Sequence, residues 1–275
     1  MPRSEPESNV NAPESSALFP QTAARLSEWR ADPDVLGALL VGSKTRGHQD
    51  ALSDDDLEVI LTDKAFARIA PADCHALLIE GEGPARRIIY DAQLTSLADI
   101  GRKARSPFDL DHWPYEKARV LLDRDGRVGR AVEAAARMAP EFRRLRLLHA
   151  TIDAAAAAGR AGKTLKRNFE AAAHLLVARG ALALARILFA LEGRWVPLDH
   201  WIEPELDTLA DEARVAPLLL QALATLRPEP IREALDRLED RLAAEGVPRP
   251  AERMRLFLEL VHVSRVAERA EHGLW

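Results

Sequence analysis

Two stretches decide how this chain is read: Leu36-Gly37-Ala38-Leu39-Leu40-Val41-Gly42-Ser43-Lys44-Thr45-Arg46-Gly47, and Ser53-Asp54-Asp55-Asp56-Leu57-Glu58-Val59-Ile60-Leu61. The first is a short apolar run stopping at Gly-Ser, the pattern of a buried strand entering a tight turn. The second predicts another strand. If strand geometry begins near Ser53, side chains alternate between faces, so Asp54 and Asp56 point one way while Leu57, Val59 and Leu61 point the other, into a core. Two carboxylates that close on one face repel, and each raises the other's pKa unless a cation sits between them. Magnesium takes hard oxygen ligands, commonly one or two carboxylates with substrate phosphates. Asp54 and Asp56 are therefore candidate catalytic and metal-holding residues.

The Gly-Ser turn supplies the complementary half. Gly42 lets backbone approach a phosphate, Ser43 adds a hydroxyl, and Lys44 and Arg46 add cations, Arg46 with bidentate geometry. Strand, phosphate-cradling turn and acid-bearing strand form a layout suited to phosphoryl-type transfer, where positioning and charge neutralisation do most of the catalysis.

Working outward, residues 1–17 are too polar to order themselves by burial and are expected to be a disordered tail. A helix follows, with Ala23, Leu26 and Trp29 on its apolar stripe, stopped at Asp32-Pro33-Asp34. A third strand is expected at 87–92. Residues 65–69 and 72–79 read as short connections, helical or extended. From about residue 115 strands give way to helices, at 131–138, 141–158, 165–178, 182–191, 215–226, 229–244 and 251–270, with Gly193 ending the fourth. The organisation expected is α+β: a mixed sheet with flanking helices over 18–122, then an all-helical bundle over 123–275.

Hydrophobic residues at 47% and charged residues at 29% belong to a packed globular chain. A net charge of −5 argues against nonspecific gripping of nucleic acid, whose affinity comes from neutralising phosphates. The single cysteine, Cys74, excludes an intramolecular disulfide and a cysteine-based zinc site, and reads as a small apolar residue. No apolar leader core and no run of bilayer-spanning length is visible, so a soluble cytoplasmic protein is expected, compatible with self-association. Gly162-Lys163-Thr164 lacks the earlier glycine and strand of a phosphate-binding loop. Lys163, Lys166 and Arg167 read as a solvated helix face. Asp123-Arg124-Asp125-Gly126 reads as a turn, not a calcium loop. His48, His112, His149, His174, His200 and His262 have no metal-ligand spacing.

The spacing of Val41-Gly42-Ser43, ten further residues, then Asp54-Asp55-Asp56-Leu57 resembles the DNA polymerase β-like nucleotidyltransferase superfamily, and Gly42 to Gly47 is similar to its minimal and antibiotic-modifying branches. The resemblance covers residues 38–62 most closely. It implies a nucleotidyltransferase-like fold, magnesium (or manganese) ions held by Asp54 and Asp56, and a triphosphate, ATP above others, contacted by Gly42, Ser43, Lys44 and Arg46. It also implies a third carboxylate on a later strand. Asp91 is the choice, with Glu80, Asp63 and Glu58 as competitors. Asp55 departs from the family pattern, which has an apolar or aromatic residue there. The segment Leu188-Phe189-Ala190-Leu191-Glu192-Gly193-Arg194-Trp195-Val196-Pro197 resembles helical domains of the family with a domain of unknown function, DUF4037. In related enzymes that bundle binds the acceptor; Trp195 and Trp201 read first as packing residues. The activity implied is transfer of a nucleoside monophosphate to a hydroxyl acceptor with release of pyrophosphate. Three acceptors are compatible with it: a small hydroxylated molecule, a protein hydroxyl or RNA end as in toxin–antitoxin systems, or none, in a non-catalytic nucleotide-binding module.

Overall fold

The computed structural model describes residues 18–262; the expected N-terminal tail and positions 263–270 of the last expected helix lie outside the described residues. In chain order the elements are α1 (Pro20–Ala31), β1 (Val35–Val41), α2 (Ser43–Arg46), β2 (Asp55–Leu61), α3 (Asp63–Phe66), β3 (His75–Glu80), β4 (Arg87–Ser96), α4 (Leu97–Lys103), β5 (Arg119–Asp123), α5 (Arg127–Ala136), α6 (Pro140–Leu165), α7 (Glu170–Leu191), α8 (Ile202–Leu206), α9 (Ala216–Thr225), α10 (Glu229–Ala244) and α11 (Pro250–His262). The α+β class expected from the sequence is the class observed. The chain divides into two compact units, one of residues 1–99 and 117–130, the other of 100–116 and 131–275.

The first unit is built on a five-stranded sheet of order β3-β4-β2-β1-β5. Only β2 and β4 run parallel; β1–β2, β1–β5 and β3–β4 are antiparallel. Along β2 the odd positions Leu57, Val59 and Leu61 are buried with Leu26 and Trp29 of α1 and with Val35, Ala38 and Leu40 of β1. That alternation is the face assignment the sequence pattern required. On the other face Glu58 and Ile60 are also buried, so β2 is covered on both sides.

Strand β5 corrects the expectation that strands end before residue 115. Arg119-Val120-Leu121-Leu122-Asp123 is too short for a period to emerge, and its place is set by backbone pairing to β1 rather than by a hydrophobic pattern. The Arg124 guanidinium then donates to the carbonyls of Arg30, Asp32 and Val35, tying the strand's end to the α1–β1 connection. Asp123 closes the expected turn: its carboxylate accepts from the N–H groups of Gly126 and Gly129 at 2.9 Å, which leads into α5. Residues 75–80, read as a connection, form β3.

The second unit is a helical bundle. The segments expected at 165–178 and 182–191 are one helix, α7, while α6 runs on to Leu165. Gly180, in the gap between those two segments, lies mid-helix for a packing reason. A β-carbon there would stand 2.9 Å from Ile231 Cδ1 of α10. Once joined, α7 is long and apolar enough to cross a bilayer by length and composition, which corrects the expectation that no run has that length. Its Val177, Leu184, Ile187 and Phe189 are buried in the bundle core. Gly193 takes φ 67° just past the end of α7, as expected. Trp195 is a core residue: it stacks on His112 at 3.7 Å, and its Nε1–H donates to Ala136 O at 2.9 Å.

Candidate functional site

The site is assembled by register. Val41 of β1 lies opposite Asp56 of β2, and Asp56 lies beside Asp91 of β4. Neighbouring residues in a ladder share a face, so the end of β1, the start of β2 and the middle of β4 bring Gly42, Asp56 and Asp91 to one edge of the sheet. Asp54, just ahead of β2, falls on the side of Asp56 by the two-residue period.

Gly42 has φ 74° and ψ −155°, a conformation that side chains disfavour. Its missing β-carbon is also where the Asp56 carboxylate lies: a Cβ built there would be 2.0 Å from Asp56 Oδ2. Ser43 is buried at the start of the single turn α2, whose Thr45 Oγ1–H donates to Gly42 O at 2.9 Å. Arg46 closes that turn, partly buried, and Gly47 leaves it in the left-handed region.

Electrostatically the edge is strained. Burial pushes the Asp56 carboxyl up to about 7, and repulsion from Asp54, Asp91 and Asp55 adds to it while Lys44 opposes. Asp54 is also raised, by burial first and then by Asp91 and Asp55, against its own backbone hydrogen bond and Lys44. Asp91 Oδ1 lies 3.2 Å from His75 Nδ1 on the neighbouring strand β3. Among the described residues no three His, Cys, Asp or Glu side chains are gathered into an arrangement that could hold a metal ion. The backbone collects Asp54, Asp56 and Asp91 at one edge; their carboxylates are not drawn into one ligand set.

Lys44, expected to contact a triphosphate, places its ammonium 2.7 Å from Asp55 Oδ1 and 3.9 Å from the centre of the Phe19 ring. Asp55, the acid that departs from the family pattern, is fully buried and also accepts from Phe19 N–H at 2.9 Å. An ion pair and a backbone donor thus satisfy a charge that alternation directs into the core, and the Phe19 ring face covers the Lys44 ammonium. Of the competitors for the third carboxylate, Glu80 accepts from Gln21 Nε2 at 2.8 Å and Asp63 opens α3, whereas Glu58 is buried on the Asp56 face. His75 escaped the sequence reading because its segment carries no clear period. Its only signal is a histidine falling two positions before the apolar pair Leu77-Leu78.

Fold and edge together define an α+β protein whose sheet edge carries Asp56 lodged against Gly42, with Asp91 beside it. Comparison with known proteins adds two likenesses. Residues 113–202 match the family described as a domain of unknown function, DUF4037, a stretch that includes the Leu188–Pro197 segment. The chain is also similar to the crystal structure of a nucleotidyltransferase-like protein from Exiguobacterium sibiricum 255-15, at 18% identity and a TM-score of 0.44, over 82% of this chain and 74% of that one. Among curated proteins none matches.

Proposed function

We propose that this protein is a nucleotidyltransferase that moves a nucleoside monophosphate from a nucleoside triphosphate, ATP above others, to a hydroxyl acceptor, releasing pyrophosphate. The observation that carries the reading is the lodging of Asp56 over Gly42 with Asp54 and Asp91 at the same sheet edge. Asp54 and Asp56 would hold a divalent magnesium or manganese ion: hard carboxylate oxygens raised by burial and mutual repulsion are an environment a cation relieves. When bound, it would supply charge neutralisation at the reacting phosphate and acidify an acceptor hydroxyl.

The remaining roles belong to the chain. Asp54 and Asp56 hold the cation, and Asp91, oriented by His75, completes the acidic edge. The Gly42-Ser43 turn brings backbone and hydroxyl to the triphosphate, and Arg46 neutralises its oxygens. Lys44 keeps the edge in place from behind through Asp55 instead of touching substrate. The test is incubation of the full chain with Mg²⁺ or Mn²⁺, each labelled nucleoside triphosphate and a panel of hydroxyl acceptors, following pyrophosphate and label transfer. Asp54→Asn or Asp56→Asn is expected to abolish turnover with the fold intact; full activity in either overturns the reading.

A second reading, a nucleotide-binding module without turnover, is favoured by one observation: the three carboxylates are not drawn into one ligand set. Nucleotide binding with neither pyrophosphate nor transferred label, across all acceptors, would select it.

A further inference from the structure

A separate feature of the helical unit has no part in that chemistry. Arg186, on the inner half of α7, lines a cavity of about 370 Å³ together with Asp109, Leu182, Val196 and Leu198. Among the described residues no hydrogen bond or ion pair engages its guanidinium, and its Nε is buried without a partner. Asp109, the acid nearest in effect, is committed elsewhere: its Oδ1 accepts from Arg146 Nη1 and from Val196 N–H. Burial lowers Arg186, partly offset by Asp109 and Asp153, while Arg146 and Arg179 lower it further. Neither acid forms a hydrogen bond or ion pair with it, so the partly buried guanidinium keeps donors that an anion in the cavity would meet.

The cavity does not end at the arginine. Leu182 and Asp199 also border a second hollow of about 460 Å³, walled by Ile202 and by Leu219, Leu220 and Leu223 of α9. Its lining is mostly aliphatic, and Leu223 is partly exposed at its mouth. The two hollows share Leu182 and Asp199; the first carries the guanidinium beside Asp109, the second an apolar wall among Arg179, Asp199 and Glu203. Charge and polarity specify the occupant: an oxyanion for Arg186, a hydrocarbon for the leucines.

We propose that Arg186 heads a binding site for a small amphiphile, a carboxylate or phosphate monoester with an aliphatic tail lying along Leu219, Leu220 and Leu223. The site stands independently of nucleotidyl transfer. Carboxylate and phosphate share the chemistry Arg186 reads, and two probes separate them.

The experiment is calorimetric titration of the full chain with octanoate, octyl phosphate and neutral octanol. At least one charged probe is expected to bind about ten-fold more tightly than octanol, the order of one charge-assisted contact. Arg186→Gln should remove that advantage while leaving octanol affinity unchanged. Leu223→Glu, at an exposed position that folding tolerates, should weaken all three probes. The stronger of the two charged probes names the head group. Failure of every probe to bind the wild-type chain, equal binding of octanol, or full octanoate and octyl phosphate affinity in both variants overturns the proposal.

Discussion

Asp56 occupies the space that a side chain on Gly42 would need: a β-carbon on the glycine would meet Asp56 Oδ2 at 2.0 Å. The two residues are set against each other by the β1–β2 register, in which Val41 pairs with Asp56. Glycine is therefore demanded twice here, by backbone conformation and by the acid it shelters.

Gly42→Ala should damage both fold and site. The positive φ costs on the order of 1–3 kcal/mol for a residue with a β-carbon, and the contact displaces the carboxylate. Thermal unfolding should fall by that order and nucleotidyl transfer should be lost. An alanine variant with wild-type stability and turnover would contradict the geometry.

Asp56→Asn separates the two effects. The folded-state pKa of Asp56 is raised to about 7, above its unfolded value, so the folded chain binds the extra proton and deprotonation opposes folding. Through this group, stability is highest at acid pH, declines as pH rises from the unfolded pKa, and levels off above about 7. In chelator, the asparagine variant should match the wild type near pH 4 and be the more stable protein at pH 8. Equal melting temperatures across the whole range would count against the crowded acidic edge.

Divalent cation should act with the same sign. Mg²⁺ binding competes with the proton on Asp56, so added Mg²⁺ should raise the melting temperature at pH 8 and much less at pH 5.5. The increment should vanish in a variant carrying both Asp54→Asn and Asp56→Asn. A shift that survives in that variant would place the cation elsewhere.

Lys44→Met tests the supporting pair. Asp55 is fully buried and the Lys44 side chain nearly so, and breaking such a pair by removing one partner costs about 3–5 kcal/mol. The loss should appear in denaturant unfolding, and substituting Asp55→Asn in the same chain should recover part of it by removing the orphaned charge. A Lys44→Met chain of unchanged stability that has lost triphosphate affinity would return Lys44 to the substrate.

Much of the fold was legible because it obeys a period. The alternation Leu57, Val59, Leu61 against Asp54 and Asp56 placed β2 and its faces, and Gly193 marked a helix end close to that observed. What escaped was short or ambiguous by composition. Five residues at 119–123 carry no detectable period, and the gap between 178 and 182 closes into one helix only where Gly180 packs against Ile231.

The sequence alone determined which residue types meet at the β1 turn and the β2 edge, because local backbone periods dictate where Gly42, Ser43, Asp54 and Asp56 fall. Tertiary structure decided who faces them. Parallel pairing of β2 with β4 set Asp91 beside Asp56, the start of α1 brought the Phe19 N–H to Asp55, the turn after β1 brought Lys44 to it, and bundle packing left Arg186 Nε buried without a hydrogen-bond partner. Those relations join positions far apart along the chain, and desolvation, which sets the charge state of each acid, exists only once the distant partner has arrived.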